Sequence, residues 1–193
     1  DTANVYQPYY KFADASTTIS ASGTTGSVTL TTSANHFTSA YVNVCLKIED
    51  TTLKITGYTS ATQVTATVQG TLRKKLITDP FTTEKGSQTI TVNDPLHGLT
   101  NGASVTFSGA NSIEGIDGTE LNGTRTIAVL DEDTYTFTAG GSTNATNTAA
   151  GGGTAIFITS ANQANTRWKE QTFSSIRGCL LYTSPSPRDT AIS

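Results

Sequence analysis

The feature that most constrains this chain is a period-two alternation of apolar and polar residues, broken at short intervals by turn-forming residues. Alternation of that kind puts every second side chain on one face, as a half-buried β-strand requires and an α-helix does not allow. Ser27-Val28-Thr29-Leu30-Thr31 shows it first. Val42 to Ile48 follows, with Val42, Val44, Leu46 and Ile48 as the apolar set and Cys45 on the other face with Asn43 and Lys47. Thr52 to Thr56 and Gln63 to Val68 repeat the pattern on either side of a turn-prone stretch, Gly57 to Ala61. These segments predict a small β module over residues 25–76, in which a one-residue slip would turn the buried face outward. A domain of that size buries only ~60% of its unfolded surface and leans on neighbours for stability.

Beyond Gly70, the basic triplet Arg73-Lys74-Lys75 reads as solvated surface, with contact to an acidic partner as the sharper alternative. Pro80 and Gly86 bracket polar residues and place a linker at 77–86. A second module is expected over residues 87–158. Thr89 to Val92 and Ser104 to Phe107 alternate again, with Asp94 to Gly102 between them. Thr124 to Val129 and Thr134 to Thr138 follow, joined by the acidic turn Leu130-Asp131-Glu132-Asp133. Gly140 to Gly153 reads as a mobile loop by composition, and Ala155 to Ile158 as the closing strand. No segment shows helical periodicity with a cap. The expected fold is all-β: two small consecutive modules, sandwich or barrel-like, with irregular termini. Residues 1–24 are read as the end of a preceding domain and 159–178 as the start of a following one.

Composition narrows the function classes. Charged residues are only 14% of the chain and the net charge is −3. Low charge with abundant Thr opposes disorder and suits a pleated surface. No basic excess predicts nucleic-acid binding. No apolar run approaches the ~18–20 residues of a spanning helix, so no membrane partner is expected.

The groups that carry chemistry are few. Asp131, Glu132 and Asp133 lack the alternate oxygen spacing of a calcium loop and read as a structural turn. Glu114, Asp117 and Glu120 are a conceivable pair-forming set of glycosidase carboxylates, or solvated loop acids. His36 and His97 stand in separate modules and make no metal-ligand cluster; His97, before Gly98, reads as a turn residue bonded to backbone. Cys45 reads as an ordinary strand cysteine with no His-plus-acid partner nearby. Gly118, Gly123 and Gly151 to Gly153 do not open a helix after a strand and imply no phosphate loop. Asn122-Gly-Thr124 and Asn144-Ala-Thr146 match a glycosylation pattern that a Thr-rich chain produces by chance. No catalytic, cofactor-binding or metal residue is assigned, and no enzyme activity or cofactor is expected.

Two longer patterns carry resemblances. Leu96-His97-Gly98-Leu99-Thr100-Asn101-Gly102, continuing through Val105-Thr106-Phe107-Ser108, Gly118 to Gly123, Thr134 to Thr138 and Gly151 to Gly153, resembles the first catalytic-cysteine half-domain of ubiquitin-activating enzymes. That resemblance implies a small β-barrel for residues 87–158; the half-domain does not carry the catalytic cysteine, so ubiquitin activation does not follow. The module also recurs in tail proteins of phages. Ser33 to Val42 and Ile55 to Val68 resemble a repeated element of such proteins, and Trp168 to Gly178 resembles the lead into their next domain. Asn43 departs from that family, which tends to have Gly there. The resemblance implies a non-enzymatic virion component, a tail nozzle or tail-tube protein of a short-tailed phage, with identical subunits and other tail proteins as partners. A carbohydrate-binding or adhesin module of a bacterial surface protein, with a host-surface glycan as partner, is the alternative. A third reading is a glycan hydrolase using the acids between Gly109 and Gly123.

Cys179 to Asp189 resembles the conceptual translation of a sequencing-library adapter. Residues 179–193 are therefore expected to lie outside the protein proper and to make no consistent core contacts. The chain opens on Asp1 and contains no Met, which predicts a piece of a longer parent.

Overall fold

The computed structural model describes residues 9–12, 17–165 and 168–172; the expectation for residues 179–193 falls outside them. The chain is all-β, with antiparallel sheets and, among the described residues, one four-residue α-helix, Gly118–Leu121 (α1).

In the first sheet the alternation acts as predicted. β3 (Gly26–Thr32), β5 (Thr51–Ser60) and β6 (Gln63–Gln69) lie side by side. Val28, Leu30, Leu53, Ile55, Val64, Ala66 and Val68 from these strands enter one buried cluster. β4 (Cys45–Ile48) adds Leu46 and Ile48, and β2 (Ile19–Ala21) forms one edge. At the opposite edge stand β16 (Trp168–Thr172) and β1 (Tyr9–Phe12). The seven strands run β1-β16-β4-β5-β6-β3-β2.

Two local differences from the sequence reading have clear causes. The strand expected from Val42 begins at Cys45, because a 3₁₀ turn at Ser39–Tyr41 and Asn43 at φ 74° redirect the chain. Asn is among the residues that enter this left-handed region most readily, which explains how it serves at a position where the resembling family has Gly. Gly57 to Ser60, expected as a turn, stays within β5; register shifts between Ile55 and Gly57 and between Tyr58 and Ser60 absorb the mismatch. Cys45 opens β4 as a strand residue, as the alternation predicts; it is buried and is not a free thiol.

The boundaries also differ. Trp168, expected to open a following domain, pairs with Ile48 and is buried in the first core. β1 and β2 lie within residues 1–24, expected to end a preceding domain, yet both belong to the first sheet. The physical reason is that β4 leaves an unpaired edge, which alternation cannot assign to a partner more than a hundred residues away. The second module is thus inserted between β6 and β16.

That module starts earlier than expected. Leu72 belongs to the first core and Leu76 to the second. β7 (Lys74–Lys75) and β8 (Phe81–Thr83), the latter inside the expected linker, are both strands of the second module. One sheet runs β11-β10-β15-β7, with β10 at Ser104–Ser108, β11 at Gly123–Thr126 and β15 at Phe157–Thr159. The other runs β12-β13-β9-β8-β14, with β9 at Thr89–Asn93, β12 at Ala128–Val129, β13 at Thr134–Thr138 and β14 at Ala150–Gly151. Buried Ile127 sits where the single expected strand 124–129 breaks to pass from one sheet's edge to the other's. A shared core that includes Phe81, Ile90, Val92, Val105, Phe107, Tyr135, Phe137 and Ile156 fills the space between the sheets. The Gly140 to Gly153 stretch is stitched down rather than left as an open loop. The Thr83 hydroxyl donates to the Asn147 carbonyl at 2.9 Å and accepts from the Ala149 N–H at 3.1 Å.

Candidate functional site

The parity of β9 brings an acid indoors. Ile90 and Val92 face the core, so Asp94, two residues on, inherits the same face and is only 1% exposed. A buried carboxylate needs partners, and three converge on it. Lys74 Nζ lies 2.6 Å from Oδ1, close but off the hydrogen-bond axis, so the contact is an ion pair. The Gln163 amide donates to Oδ2 at 2.9 Å, and the Tyr135 hydroxyl reaches the same oxygen at 3.4 Å. Burial, reinforced by the neighbouring Asp94 charge, holds the Tyr135 phenol well above its usual range. The Lys74 side chain is 14% exposed and its ammonium also approaches the Pro95 carbonyl at 3.5 Å.

This cluster ties β7 of one sheet to the end of β9 in the other, and both to Gln163 on the return path toward β16. It corrects the reading of the basic triplet as plain solvated surface. Lys74 is consumed by Asp94, and Arg73 stacks its guanidinium 4.4 Å over the Phe157 ring. Lys75 alone of the three makes neither an ion pair nor a ring contact among the described residues. The sequence held a signal for the buried acid: the inward parity of Ile90 and Val92 runs on to Asp94.

The His97 turn sits beside the cluster. The Leu99 N–H donates to His97 Nδ1 at 2.9 Å, so the ring proton is on Nε2 and donates to the Asp131 carbonyl at 3.0 Å. His97 is 1% exposed and packs edge-on against Tyr135, 5.1 Å between centroids. It is a backbone clamp between two turns, as its sequence context predicts. Gly98 follows at φ +63°, and a Cβ there would stand 2.7 Å from the Ala164 Cβ, so glycine is required for both conformation and space.

The acids singled out in the sequence do separate structural jobs. Asp131 Oδ1 accepts from the Asp133 and Thr134 N–H groups, which hold its carboxyl below the usual range. Asp133 Oδ1 accepts from the Leu96 N–H. Asp117 caps α1, accepting from the Thr119 N–H at 2.8 Å, and Glu120 reaches back to the Asp117 N–H at 3.3 Å. The Thr119 backbone and hydroxyl hold the Asp117 carboxyl down. This capping box, Asp-x-x-Glu, was present in the sequence and marks the one helix that periodicity could not reveal in four residues. Glu114 accepts from Thr146 and from Asn147. His36 lies in the first module against Phe37, Tyr41 and Trp168, away from His97. Among the described residues no group of three or more His, Cys, Asp or Glu side chains is placed to hold a metal ion.

Two concavities flank the Asp94–Leu99 turn. On one side a cleft of about 350 Å³ is lined by Lys74, Lys75, Ile77, Asp94 and Pro95, among others. On the other a groove of about 410 Å³ is lined by Leu96, Leu99, Val129, Asp131 and Glu132 with Thr18 and Ala164 of the first module. No helix among the described residues is long and apolar enough to cross a membrane.

No family model matches the chain, and no curated protein matches it. Among solved structures it is similar to a phage phi92 endosialidase, at 16% identity and a TM-score of 0.39, over 86% of this chain and 31% of that one. At that level the likeness carries no inference about activity.

Proposed function

We propose that this chain is a non-enzymatic structural part of a phage virion, in the tail nozzle or tail-tube assembly, where it packs against identical subunits and other tail proteins. The reading rests on the resemblance of residues 33–42, 55–68 and 168–178 to tail-protein sequence, and of residues 96–153 to a module that recurs in such proteins. The observation that supports it best is how the polar groups are employed. Asp94, His97, Asp117, Glu120 and Asp131 all bond backbone or buried neighbours within the fold. Their chemistry goes into rigidity, which a subunit that repeats around a ring requires. The mechanism is assembly: stiff β modules present fixed surfaces to copies of themselves.

The test is to follow the purified chain by sedimentation and negative-stain microscopy over a wide concentration range. A closed assembly of fixed copy number is expected. A chain that stays monomeric at its highest soluble concentration overturns the reading, and binding on a glycan array by that monomer would favour the surface-adhesin alternative.

A further inference from the structure

Leu96 and Leu130 are 45% and 60% exposed, unusual for leucines on turns held this tightly. They flank the groove between the modules, Leu96 lining it and Leu130 standing between Val129 and Asp131, which also line it. Leu96 is held at φ 52°, a left-handed conformation that a leucine avoids. Its N–H is fixed by Asp133, and the next residue's N–H by the Glu132 carbonyl. Strain that presents an apolar side chain to water does nothing for the fold, and it points to a contact outside it. Asp131 and Glu132, both exposed, make the rim acidic. Hydrogen bonds from Asp133 and Thr134 hold the Asp131 carboxyl below its usual range.

A complementary surface lies across the Asp94–Leu99 turn on the same chain. Lys75 is exposed on the two-residue edge strand β7, and Ile77 is 45% exposed beside it at the lip of the cleft. One patch thus joins exposed leucines to two carboxylates, and the other joins an exposed isoleucine to a free ammonium. We propose that the acid-rimmed groove receives the Lys75–Ile77 edge of a second copy of this chain, with Ile77 entering between Leu96 and Leu130 and Lys75 meeting Asp131 and Glu132. The inference rests on the reading of the chain as an assembling subunit. Because the two patches differ, the contact is heterologous, and such contacts close into rings when their rotation closes.

The experiment couples amines to carboxylates with a zero-length carbodiimide in an equal mixture of isotopically light and heavy chains. Mass spectrometry is expected to find Lys75 joined to Asp131 or Glu132 between a light and a heavy copy. Ile77→Asp is expected to weaken self-association by about tenfold or more, as loss of a central anchor does. Lys75→Glu weakens it too, and Glu132→Lys added to Lys75→Glu restores it. Circular dichroism confirms that each variant is folded. If the chain assembles but couples elsewhere, with Lys75→Glu and Ile77→Asp both silent, this contact is wrong while the assembly reading stands. A chain that never assembles overturns both.

Discussion

In the first module Trp168 arrives from the far end of the described chain to pair with Ile48, and its indole N–H donates to the Thr17 carbonyl at 2.8 Å. In the second, strands of two to five residues close a core whose members all lie between Leu76 and Ile158. The first module has long strands and strong alternation but leaves its β4 edge to a distant partner. The second has short strands and depends on side chains that bond backbone: the His97 clamp, the Asp131 turn, the Asp117 cap and the Thr83 stitch. Long alternating strands tolerate a non-local closure, whereas short ones need each turn held locally.

Trp168→Ala breaks this comparison most forcefully. The side chain is 1% exposed and meets His36 edge-on, 4.6 Å between centroids. Truncating a buried tryptophan costs about 4 kcal/mol, and the Thr17 carbonyl loses its donor besides. Urea unfolding followed by circular dichroism should show the first module's transition move down by that amount. The second module's transition should hold, since no described apolar residue beyond Ile158 enters its core. A loss below about 1 kcal/mol, or equal loss in both modules, would show that β16 does not close the first core.

Lys74→Met tests the other half. It strands Asp94, 1% exposed, without its cation, and removing one partner of a buried pair costs about 3 kcal/mol. Adding Asp94→Asn removes the charge while keeping an acceptor for Gln163, so the double variant should recover about 2 kcal/mol of coupling. The affected transition is the second module's, because the pair joins β7 to the end of β9. Additive single losses would mean that the pair contributes no specific coupling.

The same contrast explains what the sequence disclosed. Alternation located β3, β6, β9, β10 and β13 within a residue or two, because each has at least two inward apolar side chains in a run. It missed β8, whose Phe81-Thr82-Thr83 is too short to show a period, and β14, two residues of Ala and Gly. It missed the role of Trp168 for a different reason: strand partners this far apart leave no local trace. The turn residues were more readable than the buried cluster. His97-Gly98 and Asp131 sit in motifs whose bonding is local. Asp94 falls in the stretch between two expected strands and Lys74 reads as solvated charge, because their meeting depends on how two sheets stack. The groove is not legible in the sequence, since Leu96 and Leu130 lie in connections to which alternation assigns no face.

The smallest expected effect concerns Asn43, the point where the first module adopts the second module's reliance on turn conformation. Its φ of 74° is stabilised by an N–H bond to the Ile55 carbonyl at 2.9 Å, which ties the entry of β4 to β5. A left-handed residue with a Cβ and no helpful polar side chain costs about 1 kcal/mol, so Asn43→Ala should lower stability by that much. Asn43→Gly removes the steric cost and adds unfolded-state freedom, two effects that offset to within about 0.5 kcal/mol. Thermal melts of the two variants therefore differ in a set order, glycine above alanine. The reverse order would show that the side chain, rather than the left-handed backbone, is what the start of β4 requires.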